Sequence, residues 1–217
     1  MVGSVSGSFA RAEVSPIVHA YVGDYGNVTT TGGNLTVRAT HNEGKSSRGA
    51  KAKAFAGSGG ALLGASGALA WAKSDADVEA WSGAHSALSA DKAVEISADS
   101  SSTAQATAAG LGGGFVGIGI AGAEADVSGS TKAHAEGNVY GDSVLVKANA
   151  KQDADSSAAA LAGGLIAVAL NYSHADMSGT VSARLGGGAH VSSDHNTQVL
   201  ASAINTESTG RARPPVW

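Results

Sequence analysis

Apolar and polar positions alternate through most of this chain, and the alternation is clearest from Phe115 to Val127. One parity of that stretch holds Gly and Ala. The other begins with branched apolar residues and ends with carboxylates: Val116, Ile118, Ile120, Glu124 and Asp126. A period of two with branched residues predicts a β-strand, whose neighbouring side chains point to opposite faces. We expect this strand to begin buried on both faces and to end with one face in water.

The same pattern recurs along the chain at intervals of roughly fifty residues. Ala175-Asp-Met177 repeats Ala125-Asp-Val127, and we align Ala76-Asp-Val78 and Ala12-Glu-Val14 as the earlier copies. A period of this length indicates a repeat array, in which each unit buries its neighbours. The prediction is a single array over 1–217, composed of a half unit 1–34, units 35–93, 94–143 and 144–196, and a half unit 197–217.

Each unit has two strand-forming halves with a Gly-rich reversal between them. The reversals are Gly57–Gly60, Gly112–Gly114 and Gly163–Gly164. The predicted fold class is therefore all-β, in four units of about fifty residues cut at the Gly-rich reversal. Two architectures remain open: a β-solenoid, in which each unit is one coil, and a stacked sheet of long hairpins with their tips at the Gly clusters.

Counting from the signature Ala of each copy gives columns of similar residues. Two columns of small residues are expected to point inward: Ala12, Ala76, Ala125 and Ala175, and Ala20, Ala84, Ala133 and Ala183. One column is expected to point outward: Tyr21, His85, His134 and Arg184. Small residues in register imply that units stack directly on one another. The aromatic residues Tyr21, Trp81 and Tyr140 are not expected to form a rank.

Composition narrows the classes of function. The net charge is −4, so we expect no nucleic-acid partner, and the absence of cysteine excludes disulfides and Cys-based zinc sites. Residues 1–10 lack the pattern of a signal peptide, and no apolar run is long enough to predict a membrane helix. The chain has 5% aromatic residues and 31 Gly, which favours thin, closely stacked sheets over a thick core.

Beside the signature Ala lies an outward column of carboxylates: Glu13, Asp77, Asp126 and Asp176. The favoured interpretation is a solvated face that keeps the array soluble. A bound Ca²⁺, or a lysine such as Lys73, would also relieve the repulsion between stacked like charges. Asp77, Asp126 and Asp176 are therefore the candidate metal ligands, and no other cofactor is expected.

A ridge of bulky apolar residues also runs across the units: Leu69, Trp71, Val116, Ile118, Ile120, Ile166, Val168 and Leu170. Because the alternate positions are Gly and Ala, this ridge needs a partner surface. The favoured partner is the core between two sheets of the same chain. The alternatives are an exposed association patch and insertion into a membrane, as in a pore-forming toxin.

Residues 41–53 depart from the repeat and carry four basic residues: Lys45, Arg48, Lys51 and Lys53. A catalytic site in a repeat protein breaks the symmetry with unusual polar residues, so this segment is the place to look for one. We interpret it as a loop. No catalytic residue is predicted, and the chain is not expected to be an enzyme.

Several stretches have a familiar style, including Val-His-Ala-Tyr-Val-Gly-Asp (18–24), Gly-Gly-Asn-Leu-Thr-Val-Arg-Ala (32–39) and Val-Gly-Ile-Gly-Ile (116–120). Together they resemble the repeats of very large bacterial surface proteins, the filamentous-adhesin and leukotoxin-like group of β-strand-repeat proteins. The resemblance covers nearly the whole chain. It implies an extracellular, fibrous or adhesive role at a cell surface, with host or cell-surface glycans as partners. The alternative functions are a carbohydrate-binding module and a membrane-active, pore-like module.

Both ends of the sequence fall at the same phase of the repeat. Val2 aligns with Phe115, and Trp217 aligns with Gly114. We therefore expect the Thr197–Trp217 half to dock with the Val2–Ala20 half, either between chains as a head-to-tail filament or within one chain as a closed ring. The expected self-assembly residues are Val2, Val5, Val199, Val216 and Trp217.

Overall fold

The computed structural model describes residues 2–44, 49–206 and 210–213, and all regular secondary structure among them is β-strand. The all-β prediction is confirmed. The strands are β1 (Gly3–Val14), β2 (Ile17–Val22), β3 (Asn27–Thr30), β4 (Leu35–His41), β5 (Ala50–Gly59), β6 (Leu63–Ser82), β7 (Ala87–Ala90), β8 (Ala93–Gly113), β9 (Val116–Ala135), β10 (Asn138–Gly163), β11 (Ile166–Met177), β12 (Thr180–Leu185), β13 (His190–Thr206) and β14 (Gly210–Arg213).

The strands form two sheets, and the chain passes from one sheet to the other at each reversal. The first sheet runs in the order β1, β6, β9, β11, with β2 continuing β1 and β12 continuing β11. The second sheet stacks β3–β5, then β7 and β8, then β10, then β13 and β14. Every pairing in the described part of the chain is parallel. Neighbouring strands of a hairpin are antiparallel, so the long-hairpin alternative was wrong.

The strand register shows which residues occupy equivalent positions in successive layers. Ala12 pairs with Ala72, Ala72 with Ala125, and Ala125 with Ala175. Ala76 pairs with Gly129 instead, so the second copy was aligned four residues out of register. Likewise, Ala80 and not Ala84 pairs with Ala20 and Ala133. The Ala-Asp-Val signature of β6 therefore does not pair with the same signature in β9. Because four is an even number, the error did not exchange the two faces of the strand.

The gap between the two sheets narrows toward the Gly-rich reversals. A Cβ built on Gly112 would lie 2.0 Å from the backbone oxygen of Ile118, and one on Gly119 would lie 2.4 Å from that of Leu161. Since Ile118 and Leu161 lie in the opposite sheet, the two backbones are in direct contact here. No side chain fits between them, and this is why the reversals are rich in glycine.

Farther from the reversal, the inward residues become larger and the sheets separate. An alanine-rich cluster comes first, including Ala54, Ala72, Ala106 and Ala125. A cluster of larger residues follows: Leu35, Val37, Val78, Leu88, Val94, Ile96, Val139, Val144 and Val146. Between the two clusters the sheets are linked by a hydrogen bond between the hydroxyls of Ser100 and Thr131, 2.6 Å apart. The pair of sheets is therefore a wedge in cross-section, and the size of the inward residues sets its thickness.

The segment that breaks the repeat is only partly a loop. Residues 45–48, which include the predicted Lys45 and Arg48, lie outside the described residues. Lys51 and Lys53 belong to strand β5 and point outward from the second sheet. For these two lysines the loop interpretation was wrong, because β5 pairs in register with β8 from Ala50 onward.

Candidate functional site

The apolar ridge lies on the outer face of the first sheet and not between the sheets. Ile120, Val168 and Leu170 are 41%, 44% and 57% exposed. The expectation of an internal core was wrong, and the glycines explain the error. Gly117 and Gly119 face inward where the two backbones meet, so the residues that alternate with them must point into solvent.

The register assembles this ridge into a wider surface, which we call the apolar strip. Its members are Val5, Phe9, Leu63, Leu69, Val116, Ile118, Ile120, Ile166, Val168, Leu170 and Tyr172. All belong to one parity of the strands β1, β6, β9 and β11. The strip extends from the Gly-rich reversal to the row of Phe9, Leu69, Gly122 and Tyr172, and it crosses β1, β6, β9 and β11.

A groove of about 450 Å³ forms at the end of the strip where Gly122 replaces a bulky side chain. Its walls include Phe9, Leu69, Trp71 and Tyr172. The guanidinium of Arg11 lies over the ring of Trp71, with its Cζ 4.2 Å from the ring centroid, a cation–π contact. Trp71, a member of the predicted ridge, therefore marks the border where the apolar strip gives way to charged residues. The sequence alone did not bring Arg11 beside Trp71, because the copy containing Trp71 was misaligned.

Farther along the same face, three rings stack in register across the layers. Tyr21 and Trp81 have ring centroids 4.6 Å apart and planes inclined by 8°, and Trp81 and His134 are 6.0 Å apart at 7°. The expectation that Tyr21 and Trp81 form no rank was wrong, whereas Tyr140 lies on the second sheet. Trp81 occupies the place we gave to His85, which instead lies in a turn and stacks on Tyr25.

His134 is largely buried within this stack, and charged groups surround it. Burial lowers its pKa from the ordinary value of 6.5, and Arg184 and Lys132 lower it further, whereas Glu79 and Glu136 raise it. Glu79 lies 3.6 Å from Nδ1 and Glu136 lies 3.8 Å from Nε2. Arg184, the next residue in this column, is 3.6 Å from Glu136. The neutral imidazole is thus the favoured form, and its ring serves as a stacking element.

The predicted line of carboxylates is interrupted in the structure. The register places Glu13, Lys73, Asp126 and Asp176 in one row, so that a lysine separates two of the acids. Asp77 lies elsewhere, where its carboxylate accepts hydrogen bonds from the backbone N–H and the hydroxyl of Ser130, at 3.0 and 2.8 Å. Asp126 and Asp176 remain neighbours. In the described part of the chain, no three His, Asp or Glu residues are grouped as metal ligands.

A second groove, of about 380 Å³, lies on the outer face of the second sheet beside the segment that breaks the repeat. Its lining includes the polar residues Glu43, Asp99, Asn149 and Lys151. Arg38 forms ion pairs with Glu43 and, at 3.1 Å, with Asp99. These carboxylates are therefore paired, and the arrangement is that of a local ion-pair network.

The two ends of the stack present strand edges that pair on one side only among the described residues. β1–β5 form one end, and β11–β14 form the other. Val2 and Val5 lie at the first end and Val199 lies at the second, while Val216 and Trp217 fall outside the described residues. Within one chain the two ends lie at opposite sides of the stack. Among the described residues, no strand of one end pairs with a strand of the other, so this part of the chain does not form the closed ring.

Fold and surface together define an all-β protein of two parallel sheets, with the larger exposed apolar surface on the outer face of the first sheet. Comparison with protein-family models, curated proteins and solved structures finds no match for this chain. The resemblance to adhesin repeats therefore remains an inference from sequence style. Within the described residues, no helix has the length and hydropathy needed to cross a membrane.

Proposed function

We propose that this chain is a β-solenoid structural segment of an extracellular bacterial fibre or adhesin, and that its copies associate head to tail. The observation that carries the proposal is the parallel register of both sheets, which leaves complementary edges at the two ends. The repeat spacing and the resemblance to large surface proteins support the solenoid and its extracellular setting. Each coil would then contribute one strand passage to each sheet.

The two edges match in strand direction and in the side chains they would bring together. If the last layer of one copy continues into the first layer of the next, Val199 meets Val37 and Ala201 meets Ala39, because the columns Val37–Ile96–Val146–Val199 and Ala39–Ala98–Ala148–Ala201 would simply be extended. On the outer face, Arg184 would meet the free face of the Tyr21 ring, which extends the aromatic stack with a cation–π contact. Stacking copies would also pair the exposed backbone groups of both edges.

The aromatic stack favours a structural role over carbohydrate binding at the same residues. A sugar ring is bound by packing against an open aromatic face, and both faces of Trp81 are occupied by Tyr21 and His134. In a stack these rings stabilise the contact between layers instead. No catalytic residue is proposed, so the chain is not proposed as an enzyme.

The head-to-tail contact can be tested by blocking one edge with proline. The carbonyl of Val2 accepts hydrogen bonds from the N–H groups of Leu62 and Leu63, where β6 begins. In a parallel pair, the backbone of Gly7, at the opposite parity, therefore points away from β6. Gly7→Pro therefore keeps the existing pairing and removes an outward donor. We expect purified wild-type chain to form filaments in negative-stain micrographs and Gly7→Pro to form short particles. Gly7→Ala, which keeps the N–H group and finds its nearest atom at 3.9 Å, is the matched control.

Three results would contradict the proposal. Filaments of Gly7→Pro as long as those of Gly7→Ala would show that this edge is not the contact, and a wild-type chain that stays single at high concentration would show that there is no contact. A polysaccharide hydrolase or lyase activity that is lost on changing a single acidic residue would refute the non-enzymatic role.

A further inference from the structure

The apolar strip is too large and too continuous to be an ordinary part of a soluble surface. Nine of its members, all except Val116 and Ile118, are between 38% and 78% exposed. At about 180 Å² for a large apolar residue, they expose roughly 900 Å² of side-chain surface. The largest apolar patch on a typical monomer is about 300–600 Å², and a standard protein interface buries about 800 Å² per partner. The strip therefore has the area of a complete interface.

The opposite face of the molecule does not share this character. The outward residues of the second sheet include Arg38, Glu95, Lys147, Lys151 and Asp155. The second sheet also exposes Phe55, Leu111, Leu161 and Leu200, but the larger apolar area lies on the outer face of the first sheet. The wedge-shaped cross-section explains this, because the inward positions near the reversal accept only glycine and alanine. The branched residues of the same strands are left on the outside.

We propose that the apolar strip is the interface through which two copies of this chain pair side by side, strip against strip. The flat outer faces of two sheets pack readily at a separation of about 10 Å, as in a β-sandwich. This contact uses the face of the first sheet, whereas the head-to-tail contact uses the strand edges. The two inferences therefore stand independently.

The charges beside the strip select both the partner and its orientation. The rows that follow the strip carry Glu13, Asp75, Glu124, Asp126 and Asp176 against Arg11 and Lys73. This acidic border disfavours an anionic membrane surface as the partner.

The same border decides between the two ways in which the strips can pair. A two-fold axis parallel to the strands would set the acidic border of one copy against that of the other. A two-fold axis along the stacking direction pairs the strips with their strands running in opposite directions. The two acidic borders then project from opposite sides of the pair. The second arrangement avoids the repulsion and keeps both stacks elongating in the same direction. Copies paired in this way would form the two parallel halves of a double fibre.

A charge placed at the centre of the strip tests the inference. Ile120 points outward from the interior strand β9, so Ile120→Glu should leave both the core and the strand edges intact. Leu111→Glu is the matched control, because Leu111 has a similar exposure of 49% on the outer face of the second sheet. Sedimentation equilibrium is measured in an Ile17→Pro background, which blocks the same edge at β2, outside the strip. The carbonyl of Pro16 accepts a hydrogen bond from the N–H of Asp77, so the N–H of Ile17 points away from β6. We expect side-by-side dimers for the parent and for Leu111→Glu, and a dissociation constant at least about tenfold higher for Ile120→Glu.

Crosslinking supplies an independent readout, since the chain has no cysteine of its own. Ile120→Cys should give a crosslinked dimer with a short bismaleimide, and Leu111→Cys should not. A monomeric parent, equal dissociation constants for the two glutamate variants, or equal crosslinking of the two cysteine variants would overturn the inference. A membrane role would also overturn it. In that case the parent stays monomeric in solution but floats with neutral phosphatidylcholine vesicles, and Ile120→Glu abolishes the flotation. If the head-to-tail proposal fails instead, the sedimentation result is unchanged, and the two failures are distinguishable.

Discussion

Replacing Gly112 with alanine would insert one methyl group where the two sheets touch backbone to backbone. The new Cβ would lie 2.0 Å from the carbonyl oxygen of Ile118 and 2.5 Å from its carbonyl carbon. Ordinary van der Waals contacts of a Cβ begin at 3.4 Å, so the sheets must separate locally by more than an ångström. Neither atom belongs to a flexible side chain that could turn aside.

The size of the effect follows from the rigidity of this contact. Overpacking a close-packed interior costs about 1–3 kcal/mol, and we expect the upper end, about 3 kcal/mol, because both partners are strand backbones. For a chain of this length, each kcal/mol corresponds to about 2–4 °C in melting temperature. Gly112→Ala should therefore melt about 6–12 °C below the wild type.

Gly113 offers a matched control at the next position. A Cβ on Gly113 would find its nearest atom, the carbonyl oxygen of Ser58, at 3.8 Å. Gly113→Ala should therefore melt close to the wild type, or slightly above it because alanine restricts the unfolded chain. Thermal melting followed by far-UV circular dichroism compares the two variants directly. Equal melting temperatures for both would refute the wedge-shaped packing and with it the reason that the apolar strip faces outward.

Two further predictions concern polar groups between and upon the sheets. Thr131→Val removes the partner of the Ser100 hydroxyl and should lower the free energy of unfolding by about 1–3 kcal/mol, part of which Ser100→Ala should restore in the double variant. If denaturant unfolding shows that the losses of the two single variants simply add, the 2.6 Å contact is not a stabilising bond. Burial lowers the pKa of His134 in the folded state, so the unfolded chain binds a proton more readily. The contribution of His134 to folding stability is therefore fully present above pH 6.5 and is lost as the pH falls toward the folded-state pKa. His134→Phe, which keeps a ring on Trp81, should reduce the loss of stability between neutral and mildly acidic pH. His41, whose pKa is also lowered by burial, accounts for the remaining loss. If stability depends on pH in the variant as it does in the wild type, His134 does not have this role.

Local patterns predicted the strands and their faces because both depend on neighbouring residues. The alternation from Phe115 to Val127 correctly placed Ala121, Ala123 and Ala125 inside and Glu124 outside. The Gly clusters correctly marked the reversals after β5, β8 and β10. The alignment of Val5 with Ile118 was also right, because Val5 pairs with Ala65 and Ala65 pairs with Ile118. Each of these features follows from side-chain direction along a strand or from the conformational freedom of glycine.

The register between distant strands was less accessible, and the errors about the site come from it. Judged by neighbouring residues alone, Ala76 matches the signature Ala125 as well as Ala72 does. Only the pairing of β6 with β9 over their full length shows that Ala72 is the partner of Ala125. That shift of four residues hid the stacking of Trp81 on Tyr21 and the position of Lys73 between Glu13 and Asp126. It also gave His85 a place in a column to which it does not belong.

The sequence by itself determined that the chain is all-β, that its strands alternate small and bulky residues, and that it reverses at glycine. Only the tertiary structure decided which of the two parities faces inward near the reversal. An alternating strand with Gly on one side and Ile on the other is compatible with either choice, because periodicity identifies two faces without saying which one is covered. The second sheet settles the matter by approaching so closely that only glycine fits between the backbones, as at Gly112 and Gly119. Ile118 and Ile120 are left outside for that reason, and the surface they form is a property of the packed pair of sheets.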